Sequence, residues 1–295
     1  MFVDNNWYGQ RSILAKYCNV NDSHIFAAIQ HGMLTRTQED LLGKRKLSTI
    51  PYLCWNNRVL NKLKGKGLKN IHVIGSPFLY LDKMQKQKKI TNKGSGTIVF
   101  PSKSTYEKKR DVDFYKLIQE TEKILPGPYT VSIYYADLNK DLSVFKKKNW
   151  KIVSFGKRSD VNFLQKNYDE LMKNENVVCT SINTIFFYAS FLRKNVKFLL
   201  NNNSRDIVLT VDENQVSTQK FYEKEYPGIL ENKLNINQLY DISYIELGAQ
   251  YLKNKQELLE LLGWNSNLKL VLSYLISKYM DLKHYLIWKK SLRND

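Results

Sequence analysis

Cysteine, glycine and proline are scarce in this chain of 295 residues, and each scarcity excludes a class of protein. The 3 cysteines, Cys18, Cys54 and Cys179, are too far apart in sequence for a paired zinc site or a disulfide framework, and they fit a reducing compartment. Only 13 glycines and 6 prolines argue against collagen-like and disordered chains. With 43% hydrophobic and 13% aromatic residues, the chain is expected to fold into about two globular domains.

Long apolar runs and several well-known catalytic motifs are also missing. No apolar run approaches the roughly 18 residues of a membrane-spanning helix, and the first 20 residues lack the layout of a signal peptide. We therefore expect a cytoplasmic protein. The chain has no P-loop, no His-Glu-x-x-His, no glycine-rich dinucleotide fingerprint and no Ser/His/Asp order, which disfavours hydride transfer and zinc hydrolysis.

Positive charge is abundant. The chain has 46 Lys and Arg against 28 Asp and Glu, a net charge of +18, which would attract nucleic acid, anionic lipid or phosphorylated sugars. The same composition, rich in Lys, Asn, Ile and Tyr, would also arise from an AT-rich genome without selection for charge. Charge alone therefore does not choose a function.

Short apolar runs alternate with polar turns and helix-like segments, a pattern typical of parallel α/β units. Three strands are predicted in the first third and five more after residue 95. The helix between the fourth and fifth strands is predicted over 111–125, where apolar residues recur at three-and-four spacing before Pro126. The predicted strands are Ile25–Gln30, Thr49–Trp55, Ile71–Ile74, Thr97–Phe100, Tyr129–Tyr135, Trp150–Phe155, Asn176–Thr180 and Val196–Leu200.

The predicted domain organisation has three parts. Residues 81–96 are Lys-rich and Gln-rich and form the best linker candidate, so residues 1–94 are expected to form a short first α/β domain. Residues 95–265 would form a second domain with a five-stranded doubly wound sheet. Residues 266–295 are predicted to form a basic amphipathic helix, which would either pack across both domains or rest on an anionic membrane surface.

Ligands of open α/β sheets bind beyond the carboxyl ends of the strands, so the residues that follow each strand are the candidates for chemistry. The segment around 180–184 would offer hydroxyls and the start of a helix to an anion. Each candidate also has a structural interpretation, as a helix cap or a solvated turn. The donor-binding candidates are Ser102, Lys103, Ser104, Thr105, Gly156, Lys157, Thr180, Ser181, Asn183 and Thr184.

The first domain offers two catalytic candidates. His31 follows an apolar strand and precedes Gly32, and its ordinary pKa near 6.5 suits a general base. A purely structural histidine remains the alternative. Asp4 lies in a polar and aromatic stretch that could line the same cleft, although a frayed terminus explains it better.

Several segments together resemble bacterial GT-B glycosyltransferases that build capsules, O-antigens, lipooligosaccharides and related surface polysaccharides. The resemblance spans nearly the whole chain, and it rests on the order of the segments more than on any one of them. The segments that carry it are 29–32 (Ile-Gln-His-Gly), 51–56, 74–78, 98–105, 180–184 (Thr-Ser-Ile-Asn-Thr), 251–253 and 257–264.

The resemblance implies two Rossmann-like domains that face a cleft, with C-terminal helices packing across them. It implies a nucleotide donor on the second domain, an acceptor on the first, and no essential metal or other cofactor. In sialyltransferase-like members a hydroxyl-rich loop binds donor phosphate, which maps onto Thr180, Ser181 and Thr184, and His31 maps onto the proposed base of several relatives. The first domain is shorter than in those relatives, so a partner could complete the acceptor side.

The resemblance also suggests the substrates. A CMP-activated nonulosonic acid such as sialic acid is the expected donor, because the chain lacks the acidic ribose-binding motif of many hexose transferases; a UDP- or GDP-hexose is the alternative. The acceptor would be a glycan or a lipid-linked molecule, and the protein would act at the inner face of the plasma membrane. Nucleic acid is not an expected partner, although a basic nucleic-acid-binding protein and a nonenzymatic scaffold remain alternatives.

Overall fold

Two parallel β-sheets organise the protein. A computed structural model describes residues 7–21, 25, 27–33, 51–87, 94–104, 111–199, 207–209 and 213–266, together with positions 268, 271 and 275. The first sheet has the order β1-β2-β3 and belongs to what we call the first lobe. Its strands are β1 (Ala28–Ile29), β2 (Tyr52–Cys54) and β3 (Ile71–Val73).

The second sheet has five parallel strands in the order β6-β5-β4-β7-β8 and forms the second lobe. Its central strands are buried on both faces, as near-continuous apolar runs predict for a parallel sheet. The chain therefore runs outwards from β4 in one direction, then returns to the other side of β4. The strands are β4 (Thr97–Phe100), β5 (Tyr129–Ser132), β6 (Lys151–Val153), β7 (Asn176–Cys179) and β8 (Asn195–Phe198).

All eight predicted strands are present, shorter at most ends than predicted. The two sheets and the helices around them confirm the predicted fold class, α/β and GT-B-like. The helices of the described residues are α1 (Gln10–Cys18), α2 (Asn57–Gly65), α3 (Pro77–Lys86), α4 (Phe114–Ile124), α5 (Ser143–Lys147), α6 (Phe163–Lys173), α7 (Thr184–Phe191), α8 (Glu213–Glu225), α9 (Ile236–Leu247) and α10 (Lys255–Leu262).

The predicted linker over 81–96 is wrong in its first part. α3 begins at Pro77, where proline suits the first helical position, and the Ser76 hydroxyl accepts from the Phe78 amide. Leu81 and Asp82 are buried in this helix, so the chain stays packed as far as Lys86. Residues 88–93 lie outside the described part, and a domain boundary at residue 94 stays a prediction.

The C-terminal helices join the two lobes. α9 packs along α7 of the second lobe, while its last residues bond to the first lobe. The Asn56 side-chain amide donates to the Glu246 carbonyl over 2.7 Å, and the Ser76 amide donates to the Leu247 carbonyl over 2.8 Å. The predicted crossing is therefore confirmed, and α9 makes it. The predicted tail helix over 266–295 lies almost entirely outside the described residues.

One hydrophobic core contains residues from both lobes. The rings of Phe78 in α3 and Tyr188 in α7 stack with centroids 3.9 Å apart, and both side chains are buried. The Tyr168 hydroxyl of α6 donates to Asp82 of α3 over 3.1 Å. In the part of the chain that the structure describes, no helix is both long and apolar enough to cross a membrane.

Candidate functional site

The topology of the second sheet locates the candidate site. The strand order reverses between β4 and β7, because β5 and β6 lie on one side of β4 while β7 and β8 lie on the other. In open α/β sheets the ligand crevice lies outside the carboxyl ends of the two strands at such a reversal. The segments that leave these strands, 101–104 and 180–183, are the ones that carry most of the predicted donor-binding residues.

Two of these residues hold the reversal together. The Thr180 hydroxyl accepts from the Ser102 amide over 2.7 Å and lies 3.0 Å from the Ser102 hydroxyl. Both residues are buried, as is Ser181. The hydroxyls of Ser102 and Thr180 therefore shape the floor of the site, and their role in binding a donor stays a prediction.

Asn183 caps α7. Its side-chain oxygen accepts from the Ile185 and Phe186 amides over 2.9 and 3.3 Å, and its amide nitrogen donates to the Ser181 hydroxyl over 3.2 Å. Two amides that the helix start could have offered to an anion are thus already bonded. Asn183 is therefore a helix cap, as its structural interpretation predicts. The cap leaves fewer free backbone amides at this helix start for a phosphate.

Thr184 touches the first lobe. Its hydroxyl accepts from the Met33 amide over 3.2 Å, and a Cβ added to Gly32 would lie 3.5 Å from the same oxygen. Residues 180–184 therefore reach the junction of the lobes, although their first three residues are buried. The His31 loop of the first sheet and the β7 loop of the second sheet meet at this point.

His31 lies at this junction, and Gln30 shapes its loop. The buried Gln30 side chain donates to the Gly32 carbonyl over 2.8 Å and accepts from the Trp55 amide over 3.0 Å, so it ties the end of β1 to the end of β2. The imidazole of His31 stands edge-on to the Trp7 ring, with centroids 4.6 Å apart and planes at 77°.

The surroundings of His31 lower its pKa. Burial among protein atoms, and secondly the positive charge of Arg158, lower the pKa of His31 from 6.5 to about 4. The side chain nevertheless keeps exposed surface, as expected in an open crevice where many protein atoms are near and water still reaches the ring. His31 is therefore neutral at pH 7 and can accept a proton.

Three cations surround the same crevice, and each lies over an aromatic ring. Lys103 Nζ is 4.7 Å from the Tyr134 ring centroid, Lys157 Nζ is 5.8 Å from that of Tyr135, and Arg158 Cζ is 4.3 Å from that of Trp7. Among the described residues, no carboxylate lies within ion-pair distance of these three cations. An anionic ligand would therefore meet positive charge that no described carboxylate compensates.

The nearby carboxylates have other partners. Asp137 accepts from the Ser104 amide over 2.9 Å and pairs with Lys140, which ties the β4 and β5 loops together. Asp160 pairs with Lys166 at 2.7 Å and accepts from the Asn162 amide. The predicted Gly156 has a φ of +86°, and a Cβ there would lie 2.7 Å from an Asp160 oxygen. The backbone conformation and the nearby Asp160 thus explain the glycine at this turn without a bound ligand.

The sequence did not indicate every residue of the site. Two predicted residues, Asp4 and Thr105, lie outside the described part of the chain. Trp7 and Gln30 were missed because an aromatic or an amide beside an apolar run usually indicates core or turn. The aromatic residues 7–8 near a polar stretch were the available signal.

A separate cavity lies away from this site. It has a volume of about 350 Å³ and lies between the first residues of β8 and the start of α9. Amides of Asn195, Asn235 and Asn237 and the cation of Lys197 line it, together with apolar side chains. Among the described residues that line it, none has a carboxylate, an imidazole or a thiol, so these residues offer no group for acid–base or nucleophilic chemistry.

Comparisons with known proteins add little to this description. No protein-family model matches the chain, and no curated protein matches it. Solved structures of the wall teichoic acid polymerase TagF are similar in part. A variant soaked with CDPG has 15% identity over 86% of this chain and 62% of its own, with a TM-score of 0.38. A structure of TagF itself has 12% identity over 85% and 63%, with a TM-score of 0.36.

This chain thus spans about three fifths of the length of the TagF structures that it matches. With such low identities and TM-scores, neither the fold nor the activity of this protein is inferred from them.

Proposed function

We propose that this protein is a glycosyltransferase that moves a sugar from a nucleotide-activated donor to a glycan or lipid-linked acceptor of a bacterial surface polysaccharide. One observation carries the proposal. The strand reversal between β4 and β7, where α/β sheets bind nucleotides, meets the carboxyl end of β1 and His31 through the contact of Thr184 with Met33. A donor on the second lobe and an acceptor on the first would meet there.

The proposed step forms a bond from the acceptor hydroxyl oxygen to the anomeric carbon and breaks the bond from that carbon to the donor phosphate. The neutral imidazole of His31 takes the hydroxyl proton. Negative charge grows on the leaving phosphate, and Lys103, Lys157 and Arg158 are the cations that would stabilise it. This use of preplaced charge needs no metal, and we propose a reaction without one.

For the donor we propose a CMP-activated nonulosonic acid. Its phosphodiester and its carboxylate bring two negative charges to three cations that lack carboxylate partners in the described part of the chain. A UDP- or GDP-hexose also brings two charges, on its two phosphates, so charge alone does not separate the donors. Binding of free nucleotides does separate them.

The test is a thermal-shift panel of CMP, CDP, UDP and GDP. A nucleotide that binds only the folded protein raises its melting temperature, and a rise with CMP alone would support the proposed donor.

His31→Ala should keep the nucleotide-dependent rise and slow transfer roughly 100-fold or more. Lys103→Ala should weaken nucleotide binding by about tenfold or more. Arg193→Ala, which removes a cation lying 4.0 Å over the Tyr240 ring away from the site, is the matched control.

Four results would contradict parts of the proposal. No shift with any nucleotide would favour a scaffold, and a shift with UDP or GDP alone would replace the proposed donor. Unchanged transfer by His31→Ala would remove the base. Tight binding of single-stranded DNA that falls steeply with salt would favour a nucleic-acid-binding protein. The rings of Trp7, Tyr134 and Tyr135 each already carry a cation of this chain, which argues against their use as open stacking platforms.

A further inference from the structure

The turn Trp7–Gly9 packs against the second lobe. The Tyr8 amide donates to the Arg158 carbonyl over 2.5 Å, and the Tyr8 ring lies 4.8 Å from that of Phe163. Gly9 approaches the second lobe so closely that an added Cβ would lie 2.2 Å from the Val161 carbonyl oxygen. Gly9 also has a φ of +71°, which favours glycine. The backbone of this turn is therefore held by the loop that follows β6.

The side chain of Trp7 reaches a residue of the first lobe. Its indole carries the Arg158 guanidinium over one part of the ring system and meets the imidazole of His31 edge-on at 4.6 Å. Edge-to-face pairs of aromatic rings have a preferred geometry, so such a contact orients both partners. Trp7 thus links His31 of the first lobe to Arg158 of the second lobe.

We propose that Trp7 is a positioning residue that holds the His31 imidazole in register with the strand reversal of the second lobe. This inference rests on the proposed function insofar as His31 is the base. Gln30 sets the backbone of the His31 loop from within the first lobe, whereas Trp7 sets the ring from the second lobe. The two supports act on different parts of the same residue.

The contact with Trp7 affects the protonation of His31, which can be measured without substrate. Trp7 covers part of the imidazole, which otherwise keeps exposed surface, and Arg158 places a positive charge near the ring. Both act against the protonated form, so His31 stays neutral from pH 7 down towards pH 4. Removing the indole exposes more of the ring to water, and the pKa of His31 should then rise towards its ordinary value of 6.5.

The experiment is an NMR titration of the histidine ring signals, with His31 assigned by the signal that His31→Ala removes. In Trp7→Ala the titration midpoint of His31 should rise by about one pH unit or more, and in Trp7→Phe by less. The acid limb of the transfer rate should move upward by the same amount, with kcat falling more than KM changes. Tyr240→Ala is the matched control, because it also removes a ring that carries an arginine, and it should leave His31 unchanged.

An unchanged midpoint of His31 in Trp7→Ala and Trp7→Phe would overturn the inference. If Trp7→Ala does not fold, Trp7→Phe keeps an aromatic edge and decides the question alone. The titration does not depend on the donor, so a moved midpoint with no nucleotide binding would contradict the proposed function and leave the positioning role of Trp7 intact. Nucleotide binding with an unchanged His31 midpoint would contradict the positioning role of Trp7 and leave the proposed function intact.

Discussion

At the scale of single residues, Gln30 decides the shape of the loop that carries His31. Its side chain is 1% exposed and bonds two backbone groups, the Gly32 carbonyl and the Trp55 amide. Both groups lie where parallel strands have ended, so the sheet itself offers them no partner. A buried amide that satisfies one buried and one half-buried backbone group stabilises one loop conformation over others.

We predict that Gln30→Ala lowers the free energy of unfolding by about 1–3 kcal/mol, because it leaves two backbone groups without a partner. Urea denaturation measures this value. Gln30→Glu keeps the size of the side chain and the bond from the Trp55 amide but cannot donate to the Gly32 carbonyl. Its lower free energy of unfolding should therefore come from one lost hydrogen bond and one unpaired buried charge. Gln256→Ala, on the exposed side of α10, is the control and should change stability little. Equal stability of Gln30→Ala and the wild type would refute the role of Gln30.

At the scale of elements, α9 is the helix that connects the lobes, and a buried polar cluster fastens its end. The Glu246 carboxylate is nearly buried, pairs with Arg58 of α2 at 2.5 Å and accepts from the Tyr226 hydroxyl over 2.9 Å. The Arg58 guanidinium also lies 5.0 Å from the Phe221 ring. Because the partners come from α2, α8, the residue after α8, and α9, the cluster joins segments that are far apart in sequence.

We predict that Glu246→Ala lowers the free energy of unfolding by about 3 kcal/mol, since it leaves the Arg58 charge largely buried without its carboxylate. Glu120→Ala is the control. Glu120 pairs with Lys123 on the solvent-facing side of α4, and losing such a pair should cost less than about 1 kcal/mol. Denaturant unfolding of both variants gives the comparison, and similar losses would mean that the Arg58–Glu246 pair does not fasten α9.

At the scale of the whole molecule, the lobes meet through backbone contacts that admit no side chain. Gly248 ends α9 with a φ of +71°, and an added Cβ would lie 1.7 Å from the Trp55 carbonyl oxygen. Gly75 lies on the other side of this contact, where its added Cβ would lie 2.8 Å from the Gly248 carbonyl oxygen. The end of α9 therefore sits directly on the carboxyl ends of β2 and β3, next to the site.

We predict that Gly248→Ala lowers the free energy of unfolding by at least about 2 kcal/mol, because strained backbone and overpacking each cost about 1–3 kcal/mol. We also expect the two lobes to unfold separately in this variant, so that thermal unfolding shows two steps instead of one. Gly65→Ala is the control, since nothing lies within 4 Å of its added Cβ and it ends a helix. A single transition with wild-type midpoint in Gly248→Ala would contradict this account of the junction.

The strands were predictable because each is an apolar run bounded by turn residues, and a parallel sheet buries such runs on both faces. β4 has the predicted bounds, Thr97–Phe100. The predicted linker over 81–96 overlaps α3 from Leu81 to Lys86, because the buried residues of this helix end at Asp82 and the polar residues that follow resemble a loop in local composition. Its buried partners, Tyr168 and Tyr188, come from 86 or more residues further along the chain.

The sequence by itself determined the two sets of parallel strands, the polar turns at their carboxyl ends and the placement of His31 after β1. Local patterns of apolar residues, glycine and proline are sufficient for that. Only the tertiary structure decided that Thr184 meets Met33, that Trp7 meets His31 and Arg158, and that α9 fastens both lobes. These contacts join residues that are distant in sequence, and their geometry depends on how the lobes pack, which no local pattern contains.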